Sequence, residues 1–387
     1  MSERFFCPCP RGLESLLADE LVGLGASSVD AGQGGVAWQG DWLLALRVNL
    51  ESRIATRVLW LVSQGRYRGE EDIYRLAYGA TWAKWFTSEE TLRVNVTAQK
   101  SPLKSLDFVT LRIKDAICDH FRTVTGQRPS IDTARPDVRV HAFLTRDGVS
   151  LYLDTSGEPL YKRGFKRARV EAPLKENLAA GILGLAGWQP GEALADPMCG
   201  SGTFLLEAAQ IALDIAPGLG RRFAFERLKN FDRGDWGRLV REAQARRRPP
   251  AKLPIFGSDI VADQIERSRQ NLAAAGLDEC VTLARGDVLD LESPAAGGVL
   301  VTNPPYGVRL GEAEALAEFY PKLADALKRR WTGWRCYILS GDMNLPKAMR
   351  LKASRRTPLF NGALECRLFE YVMVAGSMRD KPKADQV

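Results

Sequence analysis

The sequence predicts an α/β protein whose second half folds as a mostly parallel sheet closed by an antiparallel hairpin, with two α+β modules before it. Three observations carry this. From residue 173 onward, apolar runs of strand length alternate with helical patterns, as in parallel sheets covered on both faces. Ahead of that point, short strands and helices alternate without a nucleotide-binding glycine loop. Near the end, RRTPLF and ALECRLFEYVMV flank Asn361-Gly362, a tight-hairpin dipeptide.

In chain order, residues 12–25 carry Leu13, Leu16, Leu17, Leu21 and Leu24 at helical spacing and stop at Gly25, a C-cap residue. A strand pattern follows at 35–38, a helix at 42–50 and a β-rich run at 56–62, which make a small α+β module. A second module follows. It has a helix around 71–78, a strand at 91–99 with alternating apolar residues, a helix at 108–124, and a hairpin whose turn holds Asp147-Gly148. In the second half, strands are expected at 193–197, 254–260, 281–288, 298–305 and 335–341, with helices starting near Thr203, Ala262 and Ala313. The expected domains are 1–66, 67–156, a basic linker 157–171, 172–380 and a disordered tail 381–387.

A chain of 387 residues exceeds what one core supports, so at least two domains follow. Hydrophobic residues at 45% and charged residues at 26% exclude the disordered and fibrous classes. The start has no uninterrupted apolar segment, and no window of 18 apolar residues lacks a charge, so a cytoplasmic protein with no membrane partner is expected. The seven cysteines are scattered and never form CxxC, which argues against disulfides and zinc; Cys7 and Cys9, alternating with prolines, read as an extended edge. No metal is expected.

Lys and Arg outnumber Asp and Glu by 54 to 47. The excess is clumped at Lys162, Arg163, Lys166, Arg167 and Arg169, at Arg246, Arg247 and Arg248, and at Arg329 and Arg330. Basic runs are often solvated faces, but clumping favours a polyanionic partner.

The strand at 193–197 runs into Asp196-Pro197-Met198-Cys199-Gly200-Ser201-Gly202-Thr203 and then a helix. Two glycines in such a turn let the backbone approach a ligand, and the absence of a following GKS or GKT excludes a phosphate loop. An aspartate at a strand end is more often a helix cap than a ligand. Three in succession, Asp196, Asp259 and Asp287, with Ile260 and Val288 after the latter two, mark the edge where doubly wound sheets bind ligands. Asp259 suits ribose hydroxyls, and Asp287 the rim of a purine.

The sharpest signal is Asn303-Pro304-Pro305-Tyr306 after an apolar strand. An aromatic amine is a weak nucleophile whose hydrogens need acceptors. The Asn303 side-chain oxygen and the Pro304 carbonyl serve, held by prolines of locked φ, while Tyr306 stacks on the base. The two histidines, His120 and His141, lie in the first half and carry no chemistry; Cys199 leaves room in the turn rather than attacking.

Together these residues resemble the THUMP-containing RNA guanine-N2 methyltransferases, most of all the stand-alone form acting on large-subunit (23S) ribosomal RNA. The likeness covers nearly the whole chain: RGLESLLADELVGLGA for an N-terminal ferredoxin-like domain, residues 68–155 for THUMP, KRGF and APLKENLA for the lead-in, DPMCGSGT, GSDI, GDV and NPPYG for the catalytic motifs, FNGALECRLFEY for the closing hairpin. It implies a class I (Rossmann-like) methyltransferase sheet and the cofactor S-adenosyl-L-methionine (SAM). Residues 196–202 would line its methionine part, with Thr203 also at the cofactor, Asp259 its ribose, Asp287 its adenine amine, and residues 303–306 the guanine. It also implies structured RNA as partner, with an Arg-, Phe- and Trp-rich insertion at 215–252 touching it. A monomer is expected. Many members carry a second methyltransferase domain; this sequence has one, so a single modification is expected. Rival readings are a transfer RNA guanine-N2 methyltransferase, a DNA adenine-N6 methyltransferase and a non-catalytic RNA-binding assembly factor.

Overall fold

The structure, a computed structural model, describes residues 2–164, 174–304 and 312–374. Its first elements are β1 (Glu3–Pro8), α1 (Glu14–Leu24), β2 (Ser27–Gly32), β3 (Gly35–Gly40), α2 (Trp42–Glu51), β4 (Leu59–Arg66), α3 (Glu70–Gly79), β5 (Leu92–Ala98), α4 (Leu106–Thr125), β6 (Val138–Leu144) and β7 (Gly148–Asp154). There follow α5 (Glu176–Leu185), β8 (Leu194–Asp196), α6 (Thr203–Ala212), α7 (Arg233–Arg246), β9 (Ile255–Asp259), α8 (Ala262–Ala274), β10 (Thr282–Arg285), β11 (Gly298–Thr302), α9 (Glu312–Arg330), β12 (Trp334–Ser340), α10 (Leu345–Ala348), β13 (Arg355–Asn361) and β14 (Leu364–Val372).

Two compact units emerge, and they are not consecutive stretches of chain. One comprises Met1–Cys9, Leu17–Lys162 and Pro217–Ala245; the other comprises Pro10–Leu16, Arg163–Ala216 and Arg246–Val387. This partition cuts across the expected boundaries. The linker's first residues belong to the first unit, where Leu160 is buried and its amide donates to the Thr56 carbonyl. The tail at 381–387 lies outside the described residues.

In the first unit both α+β modules share one seven-stranded sheet, ordered β2-β3-β1-β4-β7-β6-β5. β1 lies between β3 and β4, so Cys7 sits in a buried interior strand and not on an edge. The core is aromatic: Phe5 stacks on Trp38 with centroids 4.5 Å apart, and Trp60 meets Trp85 edge-on at 5.7 Å. α4 starts where the Ser105 hydroxyl accepts the Phe108 amide and stops at Gly126 in the left-handed region. In the 217–245 segment, Phe223 stacks on Phe225 and Trp236 packs edge-on against both; Phe223 and Phe225 are buried. Phe223 and Phe225 fill a core, which removes these two as the RNA contacts expected of the insertion.

The second unit holds the expected sheet, ordered β10-β9-β8-β11-β12-β14-β13, parallel from β10 to β12 and antiparallel through β14 and β13. Both hairpins form, but their turns differ from the expected geometry. Asn361 pairs with Leu364, so the loop is Gly362-Ala363, with positive φ at Gly362 alone. At the other hairpin the Thr145 amide donates to the Gly148 carbonyl, and neither Asp147 nor Gly148 has positive φ.

β9 seats α6 through Gly257. A Cβ there would stand 2.3 Å from Leu205 Cδ1 and 2.9 Å from Leu283 Cδ2, and Leu205 is fully buried. Gly257→Ala is expected to destabilise the protein by about 1–3 kcal/mol through overpacking, read as a lower urea midpoint. An unchanged midpoint would show that the α6 seat is not tight.

Candidate active site

Chain order reverses between β8 and its neighbour β11: the strands run to one side through β9 and β10, then return to β11. The reversal opens a crevice at the carboxyl ends of the strands. Asp196 and Asp259 end β8 and β9, Asp287 stands two residues past β10, and Asn303 follows β11 directly.

The glycine turn after β8 is held from β9 and α8. Asp259 accepts the Gly200 amide at 3.0 Å through one oxygen and the Val261 amide at 2.9 Å through the other. The Cys199 amide donates to the Ser258 carbonyl. Ser268 donates to the Gly200 carbonyl at 2.7 Å and Asn271 to the Ser201 carbonyl at 3.0 Å. Gly202 adopts φ +77°, and a Cβ there would press within 2.9 Å of the Ser268 hydroxyl. Ser268 and Asn271 escaped the sequence reading. Their spacing of three on one helix face was the available signal.

In front of this turn lies a cleft of about 720 Å³ lined by Pro197, Met198, Gly200, Asp259, Ile260, Val261, Gln264, Asp287, Val288, Leu289, Asn303, Leu316 and Phe319. Among the described residues its polar side chains are two carboxylates and two amides, with no Lys or Arg. Asn303 Oδ1 is enclosed and has no hydrogen-bond partner among the described residues. Such an atom is costly unless a ligand donates to it.

The structure thus brings Pro197, Met198, Gly200, Asp259, Ile260, Asp287, Val288 and Asn303 to one cleft. Cys199, Ser201, Gly202 and Thr203 are absent from its lining and shape the turn behind it. Asp196 is also absent: its carboxylate accepts the Met198 amide at 3.3 Å and borders a separate pocket of about 130 Å³. Pro304 is buried beside Asn303, while Tyr306 lies outside the described residues. Burial pushes the Cys199 thiol up, which keeps it neutral and unsuited to attack.

Among the expected RNA-binding residues, Arg163 is a correction. It is buried and pairs with Glu207 at 3.2 Å, with side chains 2% and 1% exposed, which leaves it out of reach of a polyanion. Lys162 is exposed and pairs with Glu158; Arg246, paired with Asp214, Arg247 and Arg248 are exposed. Lys166, Arg167 and Arg169 lie outside the described residues. Among the described residues no helix is long and apolar enough to cross a membrane, and no group of three or more His, Cys, Asp or Glu could hold a metal ion.

Comparison with known proteins agrees with the cleft. A family profile described as "RMKL-like, methyltransferase domain" matches residues 163–370. The chain belongs to this methyltransferase family. Further profiles match a THUMP domain at 67–154 and an RlmL ferredoxin-like domain at 4–59. A Synechocystis protein provisionally named an RNA methyltransferase is 39% identical, over 95% of this chain and 96% of its own. The ribosomal RNA large subunit methyltransferase K/L of Aeromonas salmonicida is 38% identical over 99% of this chain, which spans 56% of that longer protein. A structure provisionally described as a methyltransferase and solved in complex with S-adenosylhomocysteine (SAH) is 28% identical, with a TM-score of 0.88 over 97% of this chain and 99% of its own.

This methyltransferase depends on SAM, and the cleft suits that cofactor. Among the described residues the lining offers acceptors without cationic side chains, which fit an uncharged nucleoside joined to a sulfonium and would repel the phosphates of a dinucleotide. When bound, SAM supplies an electrophilic methyl group. Asp259, Asp287, Met198 and the Gly200 backbone are the residues that would hold it.

Burial pushes the Asp196 carboxyl up from 3.8 to about 7, and the nearby Asp259 charge adds to the rise. Because the folded-state value exceeds the unfolded one, this carboxyl contributes stability that is complete below about pH 4 and is lost as pH rises through 7. Asp196→Asn is therefore expected to lessen the fall in Tm of the cofactor-free protein between pH 5 and pH 8. Parallel pH profiles for the two proteins would show that Asp196 is ionised throughout. Asn303→Ala should cut methyl transfer by about 100-fold or more while calorimetric SAH affinity stays within about twofold. Asp259→Ala, which removes a cleft acceptor and the clamp on Gly200, should weaken SAH binding by at least about 1–3 kcal/mol. Equal losses of binding in both variants would make Asn303 a cofactor residue.

Proposed function

We propose that this methyltransferase transfers the methyl of SAM to the exocyclic N2 amine of a guanine in large-subunit (23S) ribosomal RNA. The observation that carries the reading is the enclosed, unpartnered Asn303 oxygen at the end of β11, on the wall of a cleft that otherwise suits the cofactor. The amine's lone pair is delocalised into the ring, so positioning is what the protein contributes. Asn303 Oδ1 and the Pro304 carbonyl take the two amine hydrogens, which turns the nitrogen lone pair toward the methyl donor. No base is needed beforehand. Once the nitrogen carries the methyl it is cationic and sheds a proton to solvent. Tyr306, from its place in the tetrad, takes the face of the base, which must leave its stack to enter the cleft.

The THUMP match, the net charge of +7 and the names of the K/L and cyanobacterial relatives support RNA as the substrate. The exposed Arg246–Arg248 run and Lys162 supply phosphate contacts without sequence information. A monomer working in the cytoplasm suits this reading.

Nucleoside mass spectrometry on fractionated RNA from a deletion strain tests it. N2-methylguanosine should fall in large ribosomal RNA and return on complementation by the wild-type chain but not by Asn303→Ala. Loss confined to transfer RNA would move the substrate there. Loss of N6-methyladenine from DNA would overturn the choice of base and polymer together.

A further inference from the structure

Gln264 stands on the wall of the cleft in the first turn of α8, three residues after the exposed Val261 and five after Asp259. Its Oε1 is enclosed and, like Asn303 Oδ1, has no hydrogen-bond partner among the described residues. Neither the glycine turn nor Asn303 and Pro304 use it. An enclosed carbonyl oxygen left unmatched is unfavourable, and a donor arriving with a ligand would relieve it. At the strand edge beside it, Asp259 already spends one lone pair of each oxygen on the Gly200 and Val261 amides. A ribose presents two hydroxyl donors there, and a single partly engaged carboxylate is poorly placed to take both.

We propose that Gln264 is a second ribose-reading residue of this methyltransferase, its side-chain oxygen accepting one sugar hydroxyl while Asp259 accepts the other. The assignment rests on the cleft being the SAM site. A site built to accept a hydroxyl rejects an analogue that lacks it, because a buried acceptor is then left unmatched. Gln264 would thereby favour a ribonucleoside over its deoxy counterpart.

The test is calorimetric binding of SAH and of its 2′-deoxy and 3′-deoxy analogues to the full chain, as wild type, Gln264→Leu and Asp259→Ala. Wild type should bind each deoxy analogue about tenfold or more weakly than SAH. Gln264→Leu should lose a similar factor for SAH yet bind SAH and one of the two analogues equally, while its Tm does not fall, since an unmatched enclosed polar group has been replaced by an apolar one of like size. A Gln264→Leu protein that keeps wild-type affinity for SAH, or discriminates both analogues as wild type does, overturns the proposal. If Asp259→Ala still weakens SAH binding in that case, only the role of Gln264 fails. Unchanged binding in both variants would take the cofactor out of this cleft altogether.

Discussion

The Asp259 carboxylate, bound to the Gly200 and Val261 amides, is the interaction on which the site depends. It ties the turn after β8 to the end of β9 and the start of α8, so three chain segments meet at one side chain. Ser268 and Asn271 complete the clamp from α8 by taking the turn's outward carbonyls. A glycine turn has many accessible conformations, and this network selects the one that leaves Gly200 facing open space with positive φ. The cleft exists because that backbone cannot relax into it.

Charge is divided accordingly. The protein as a whole carries +7, while the cleft, among the described residues, offers carboxylates and amide oxygens with no Lys or Arg. The first property suits a polyanion drawn to the outside, the second an uncharged nucleoside bearing a cationic sulfur within. Such a division would repel phosphates from the cleft without a steric gate, because like charges repel most where water is scarce.

Much of the site was legible because its residues sit where chain direction changes. Pro197, Met198, Gly200, Asp259, Ile260, Asp287, Val288 and Asn303 lie in short motifs at strand ends, and all reach one cleft. Illegible were partners that act from a distance. Ser268 and Asn271 sit within an ordinary amphipathic helix, and their role appears only when α8 packs beside the glycine turn. Asp196 looked like its two counterparts, yet it is buried and borders another pocket, since the direction of a side chain at a strand end depends on the turn that follows it. Arg163 read as one more member of a basic cluster; Glu207, forty-four residues later, takes it into the interior.

By itself the sequence determined the alternation of strands and helices, the closing hairpin and the chemistry of the motifs, because those rest on local periodicity and on residue types that restrict the backbone nearby. Tertiary structure decided how the pieces are shared out. It merged two modules into one seven-stranded sheet, assigned residues 217–245 to the unit that precedes them and buried Phe223 and Phe225 there. Strand pairing and ring packing depend on which surfaces meet, and surfaces far apart in the chain meet only once the whole has folded.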